Sequence, residues 1–185
     1  QRLFGFQQLK VKVGIAGQDD AARLKLIRRW AGAKMNLRID ANEAWSVAEC
    51  AERIQAIEGF GITSVEQPVP HEQVAGLAAI RQQVKTPIML DESVCSLGDA
   101  QRAIERGTCD LFNIRLSKCG GFLASLRLAA FARGAGVGYQ HGTQVGQLGF
   151  ANAAGRQLTS VMRDIVACEG GPGLANLTDF PTTTR

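Results

Sequence analysis

The 185-residue chain has few aromatic residues and little excess charge. Aromatic residues make up 6% of the sequence, the formal net charge is +4, and no basic run is interleaved with aromatic side chains. This composition gives no indication of nucleic-acid binding. No apolar stretch reaches the roughly 18 residues of a membrane span, and no signal peptide is recognisable. We therefore expect a protein that binds neither nucleic acid nor membrane.

The sequence also lacks the cysteine spacing of a redox or zinc motif. Its five cysteines are odd in number, and no two of them form a C-x-x-C pair. A disulfide framework is not expected, and a reducing cytoplasmic location fits this usage. The cysteines are interpreted as small hydrophobic residues, buried or half-buried.

Apolar β-type runs alternate with helical patterns along the whole chain. Strands are predicted at 6–13, 35–41, 62–66, 88–91, 111–116, 137–139 and 165–168. Helices are predicted at 20–30, 47–59, 72–84, 97–106, 122–133 and 148–162. This alternation predicts an α/β fold with a parallel sheet, either closed into a barrel or open.

A polar residue lies within two residues of the end of each of these apolar runs. The set is Lys12, Asp40, Glu66, Asp91, Arg115, His141 and Glu169. Successive members lie about one βα unit apart, and in a βα barrel the carboxyl ends of the strands form the active-site face. The pattern favours a barrel, with one strand missing because a closed barrel needs eight. An open-sheet nucleotide binder is an alternative, but residues 14–17 match a phosphate-binding turn poorly.

Side-chain alternation assigns the charged residues to the barrel interior. Lys10 and Lys12 share one face of their strand, whereas the intervening valines face the other way. By the same rule Asn113 and Arg115 point inward. Lys118 lies beyond that strand, so alternation disfavours it as the inward cation, although it remains an alternative to Arg115.

Three acids on neighbouring strand ends predict a metal site. Asp40, Glu66 and Asp91 would repel one another, and a divalent cation removes that repulsion. Oxygen ligands suit Mg²⁺, or Mn²⁺, rather than zinc. A lysine beside a cation and a second ammonium has a lowered proton affinity, which favours Lys12 as a general base with Lys10 beside it. These groups predict removal of a proton next to a carboxylate, with the metal holding the enediolate.

Several short motifs together resemble the barrel domain of the enolase superfamily, in its muconate-lactonizing-enzyme and mandelate-racemase branch. They are Lys10-Val11-Lys12, Asp40-Ala41-Asn42, Val65-Glu66-Gln67-Pro68, Asp91-Glu92-Ser93, Asn113-Ile114-Arg115 and Gly120-Gly121. The resemblance implies a TIM-like (β/α)7β barrel that here lacks its first strand and the N-terminal capping domain. The chain 1–185 is then a partial barrel domain, with a core at 6–173 and a tail at 174–185.

The resemblance also implies roles for the strand-end residues. Asp40, Glu66 and Asp91 become Mg²⁺ ligands, Lys12 the base, and Lys10 a group that neutralises the substrate carboxylate. Glu92 is expected to hold a lysine in place. Glu169 resembles a hydrogen-bonding acid at the last strand end.

The sequence departs from the family pattern at Arg115, where the muconate-lactonizing branch has a second lysine and the mandelate-racemase branch an aspartate. Arginine holds its proton too tightly to act as a base near neutral pH, so Arg115 is expected to be a fixed cation. His141 has either a structural role or an acid/base role.

We expect an isomerase, a cycloisomerase or a racemase/epimerase, acting as a homo-oligomer on a small carboxylate substrate. A dipeptide epimerase is disfavoured, because residues 168–170 lack the D-x-D pattern usual for that subtype. An acid-sugar dehydratase, a lyase with His141 as its acid, is the alternative enzyme. A catalytically silent, metal-binding barrel is the alternative outside enzymes.

Overall fold

The computed structural model describes residues 5–144, 147 and 149–169. Its strands are β1 (Gln8–Lys12), β2 (Asn36–Asp40), β3 (Ile62–Glu66), β4 (Ile88–Leu90), β5 (Leu111–Arg115) and β6 (Gly138–Gly142). Its α-helices are α1 (Asp20–Ala31), α2 (Val47–Glu58), α3 (Leu77–Arg81), α4 (Leu97–Glu105), α5 (Gly121–Gly134) and α6 (Gly149–Val161). Strands and helices alternate, and strand order in the sheet follows chain order. No helix among these residues is long and apolar enough to cross a bilayer.

The described residues fall into two compact units, the first containing 5–93 and 102–111. In this unit β1 to β4 pair in parallel, with Lys12 opposite Asp40 and Asp40 opposite Glu66. Leu37 and Ile39 on β2 are fully buried and contribute to its apolar core. The pairing register therefore brings the polar ends of neighbouring strands side by side.

Local signals in the sequence explain where α1 and α2 begin. The Asp19 carboxylate accepts a hydrogen bond from the Ala22 amide at 2.9 Å and caps α1. Glu49 accepts a hydrogen bond from the Ser46 amide at 2.9 Å at the start of α2, and the two residues form a capping box. These caps satisfy amides that have no partner within the helix.

The second unit contains residues 94–101 and the described residues from 112 onward. A tight turn leads from β5 into α5, and the Cys119 amide donates to the Arg115 carbonyl at 2.9 Å. Gly120 and Gly121 follow with φ angles of 80° and 84°, a left-handed backbone that glycine adopts without steric cost. The two glycines thus allow the chain to turn directly into the helix.

Two predicted elements differ from the structure. The helix predicted at 72–84 is a 3-10 helix (His71–Gly76) followed by the short α3. The strand predicted at 165–168 is a single parallel bridge between His141 and Cys168 in the described part of the chain. The predicted tail at 174–185 lies outside the described residues.

Candidate active site

The carboxyl ends of β2, β3 and the segment after β4 carry three buried acids in the first unit. Asp40, Glu66 and Asp91 are at most 1% exposed. Buried carboxylates are costly unless cations or hydrogen bonds compensate their charge. The nearby side chains therefore decide what these acids can do.

Lys10 compensates two of the acids. Its ammonium nitrogen lies 3.0 Å from Asp40 Oδ2 and 3.1 Å from Glu66 Oε2, and its side chain is 19% exposed. Burial by itself would raise the pKa of Asp40, but the charges of Lys10 and Lys12 outweigh burial and lower that pKa. Asp40 is therefore an anion at neutral pH.

Lys12, the predicted base, is half exposed and lies on the same face of β1 as Lys10. Its ammonium donates to Asp40 Oδ2 at 2.7 Å and also to the side-chain oxygen of Asn42. The Asn42 amide group in turn donates to Glu92 Oε1 at 3.3 Å. Asn42 thus links Lys12 to Glu92, the residue that the sequence predicted would hold a lysine.

Gln67 connects the end of β3 to the segment that carries Asp91. Its side-chain oxygen accepts from the Asp91 amide at 3.0 Å, and its side-chain nitrogen donates to Ser93 Oγ at 2.7 Å. Gln67 is fully buried and has a positive φ of 36°. These bonds fix the backbone that positions the Asp91 carboxylate.

The donor chemistry of the three acids fits Mg²⁺ or Mn²⁺, since carboxylate oxygens are preferred ligands of these ions. The position of Lys10 also shows that a cation is favourable between Asp40 and Glu66. Within the described ranges, however, no three His, Cys, Asp or Glu side chains form a group that could hold a metal ion. The structure thus places the predicted ligands on neighbouring strand ends without assembling them into one metal-binding group.

In the second unit, Arg115 ends β5 and is half-buried. Its guanidinium donates to the side-chain oxygen of Gln144 at 3.1 Å. The Lys118 ammonium donates to the Asn113 carbonyl at 3.0 Å. Lys118 thus lies against the backbone of the strand that Arg115 ends.

His141 of β6 packs against helix α6. A Cβ added at Gly155 would lie only 2.9 Å from His141 Cε1. Both imidazole nitrogens are buried and have no hydrogen-bond partner among the described residues. Burial lowers the pKa of His141, although the charge of Glu169 opposes this. These features describe a neutral imidazole between strand and helix.

Glu169 lies beside the end of β6, where its amide donates to the His141 carbonyl at 2.9 Å. Its carboxylate accepts from the Gln140 side chain and from the Thr143 amide, both at 3.4 Å. Because Gln140 and His141 are adjacent on the strand, their side chains point to opposite faces. The Glu169 backbone thus bonds to the backbone of His141, whereas the Glu169 carboxylate bonds to Gln140 and Thr143.

Sequence reasoning assigned no role to Asn42 or Gln67, although both lie in the motifs quoted for the resemblance. Each follows a strand-end acid by one or two residues and has a positive φ, 43° for Asn42 and 36° for Gln67. An amide side chain just beyond a strand-end acid is the signal that could have identified them.

Comparison with known proteins identifies the family to which this chain is similar. The family described as Enolase C-terminal domain-like matches residues 1–183. A hydrophobic dipeptide epimerase from Enterococcus faecalis is 36% identical over 165 residues, which cover 89% of this chain and 47% of that protein. Muconate cycloisomerase 1 from Rhodococcus opacus is 33% identical over 153 residues, which cover 82% of this chain and 40% of that protein. The chain thus spans less than half the length of these two relatives.

Solved structures agree with these relatives. A dipeptide epimerase structure from Enterococcus faecalis V583 matches with a TM-score of 0.92 at 34% identity, over 99% of this chain and 53% of that chain. A dipeptide epimerase from Cytophaga hutchinsonii, solved with Mg and the dipeptide D-Ala-L-Val, matches with a TM-score of 0.84 at 36% identity, over 91% of this chain and 46% of that chain. The chain therefore belongs to the Enolase C-terminal domain-like family, in the branch of muconate cycloisomerases, racemases and epimerases, and its α/β fold is that of part of the family's TIM-like barrel domain.

Proposed function

We propose that the full-length protein is an isomerase that removes a proton alpha to a carboxylate. The main observation behind this is the group around Lys12, whose ammonium lies 2.7 Å from the buried Asp40 carboxylate, with Lys10 bonded to the same oxygen. An amine held at a fixed point beside a second ammonium is suited to general-base work. Lys12 is accordingly proposed as the base.

The proposed metal ligands are Asp40, Glu66 and Asp91, and the proposed ion is Mg²⁺. A bound divalent ion would act as a Lewis acid that stabilises negative charge developing on the substrate carboxylate. The Mg that accompanies the dipeptide in the Cytophaga hutchinsonii structure supports this choice of ion. Lys10 would keep Asp40 and Glu66 in place and supply further positive charge.

Residues of the second unit receive separate roles. Arg115 is proposed as a fixed cation for a substrate anion, because its guanidinium keeps its proton at neutral pH. Glu169 is proposed to accept a hydrogen bond from the substrate. We assign His141 to packing, since its neutral ring lies against Gly155.

Epimerisation of an amino-acid derivative, such as a dipeptide, is the reaction class that we propose first. The dipeptide epimerases among the relatives and structures support it, although the sequence motif after Ala167 had disfavoured that subtype. Cycloisomerisation is the second candidate, because muconate cycloisomerase 1 is also a relative.

The test is hydrogen exchange at the alpha carbon in D₂O with Mg²⁺, using the full-length protein and a library of dipeptides and other carboxylates. We expect deuterium incorporation that Lys12→Ala abolishes and that Lys25→Ala, a change at an exposed lysine of α1, leaves intact. Absence of exchange with every compound would instead favour a catalytically silent, metal-binding barrel. Mass spectrometry of the recovered substrates provides the readout.

A further inference from the structure

Outside the proposed acid–base group, one histidine in the first unit lies within ion-pair distance of two carboxylates. His71 Nδ1 lies 2.7 Å from Glu43 Oε1, and Nε2 lies 3.1 Å from Glu72 Oε1. The His71 backbone amide also donates to Glu43 Oε1, at 2.8 Å. A carboxylate only accepts hydrogen bonds, so the bond to Glu43 requires a proton on Nδ1, and a second proton on Nε2 would pair the ring with Glu72 as well.

Glu43 belongs to a backbone segment with an unfavourable conformation. Asn42 and Glu43 have successive positive φ angles of 43° and 66°, which cost free energy in residues other than glycine and persist only where surrounding contacts maintain them. The Asn42 amide donates to Asp40 Oδ1 at 3.0 Å, and the Glu43 amide donates to the Gln67 carbonyl at 2.8 Å. The bonds from His71 to the Glu43 side chain add a third support.

The same segment brings the Asn42 side chain into contact with Lys12, the proposed base. Asn42 accepts from the Lys12 ammonium through its side-chain oxygen. A shift of residues 42–43 would therefore change one of the hydrogen bonds that orient Lys12.

We propose that Glu43 and His71 form a positioning pair that holds residues 42–43 in place, and with them Asn42 against the ammonium of Lys12. The pair touches no reacting atom, and its role in the reaction rests on the function proposed above. Its structural part, the support of residues 42–43, stands on the contacts alone.

The pair has a defined dependence on pH. Three carboxylates face His71: Glu43 from the loop after β2, Glu72 on its own 3-10 helix and Glu92 from the segment after β4. The hydrogen bond that Glu43 accepts raises the pKa of His71 above its ordinary value of 6.5, and burial opposes this. A raised pKa means that the pair is fully formed below pH 6.5 and weakens as the pH rises through the pKa in the folded protein.

Hydrogen–deuterium exchange of the full-length protein tests the structural part. In the wild-type protein we expect the peptide containing residues 41–45 to exchange about tenfold more slowly at pH 6 than in Glu43→Gln or His71→Ala, as expected for one charge-assisted hydrogen bond. After correction for the intrinsic effect of pH, the difference should shrink as His71 loses its proton. Glu72→Gln is the matched control, because it removes the other carboxylate and should keep the slow exchange.

Equal exchange of this peptide in the wild-type protein and both variants would overturn the proposal, as would a His71 that titrates below 6.5 by NMR. Unchanged exchange in α2 shows that the variants are folded.

If the full-length enzyme exchanges the alpha proton of a dipeptide, Glu43→Gln should lower kcat about tenfold and leave KM unchanged. An unchanged kcat would overturn the positioning role. If no dipeptide or other carboxylate of the library exchanges, the proposed function fails, while the protection of residues 41–45 still decides the structural part.

Discussion

At the scale of single residues, the Lys10 side chain compensates the charges of two buried acids, Asp40 and Glu66. Its ammonium bonds to Asp40 and Glu66, neither of which is more than 1% exposed. Removing one partner of a buried ion pair leaves uncompensated charge, which costs more than the pair contributes. The alternation of β1 predicted that Lys10 and Lys12 share a face, but it could not predict that Lys10 bonds to two acids from different strands.

Lys10→Met is expected to lower the free energy of unfolding at pH 7 by about 2–3 kcal/mol, because Asp40 and Glu66 lose their shared cation. The pKa of Asp40 is lowered in the folded protein, so this contribution is present above the ordinary value of 3.8 and is lost as the pH falls through the lower pKa of the folded state. Urea denaturation at pH 7 and below pH 3.8 measures both effects. Lys25→Met on the exposed face of α1 is the control, and an equal loss in that variant would contradict the prediction.

At the scale of secondary-structure elements, two glycines of the second unit make room for side chains of neighbouring strands and helices. A Cβ at Gly142 of β6 would overlap the side-chain amide of Asn113 on β5, and one at Gly155 of α6 would lie 2.9 Å from His141. The sequence predicted strands and helices at these positions from their periodicity. It gave no indication that these glycines are contact points, because the contacts join residues distant in sequence.

Gly155→Ala is expected to destabilise the protein by about 1–3 kcal/mol, the usual cost of forcing an extra methyl group into a packed interior. The added Cβ would press on the buried ring of His141, at 2.9 Å from Cε1 and 3.1 Å from Nε2. Thermal unfolding of the variant measures the effect. Gly134→Ala at the end of α5 is the matched control, since an added Cβ there meets nothing within 4 Å. Because alanine favours a helix more than glycine does, a similar loss in both variants would contradict the packing explanation.

At the scale of the whole molecule, the chain carries only part of what its relatives contain, covering 47% of the Enterococcus faecalis epimerase and 40% of the Rhodococcus opacus cycloisomerase. The proposed metal ligands nevertheless all lie in the first unit, on the ends of β2 and β3 and just after β4. A metal ion bound by these three residues would contribute to the free energy of unfolding. Metal binding can therefore be tested by measuring protein stability as well as activity.

Mg²⁺ at one hundred times its dissociation constant is expected to stabilise the full-length protein by about 2.7 kcal/mol, because it binds the folded state. Calorimetry with Mg²⁺ and then with excess chelator measures the shift in Tm and its reversal. Asp40→Asn and Glu66→Gln should lose most of the Mg²⁺-dependent shift. Glu49→Gln in the capping box of α2 should retain it, and a full shift in Asp40→Asn would contradict the proposed ligand set.

The sequence by itself determined the alternation of strands and helices, the strand-end positions of Asp40 and Glu66, and the shared face of Lys10 and Lys12. These follow from periodicity and spacing, which are local properties of the chain. Only the tertiary structure decided the partners: Lys10 between two acids, Asn42 on Lys12, and His141 against Gly155. Partners depend on strand register and loop conformation, including the positive φ angles of residues 42 and 43, and these are set by contacts between segments far apart in the sequence.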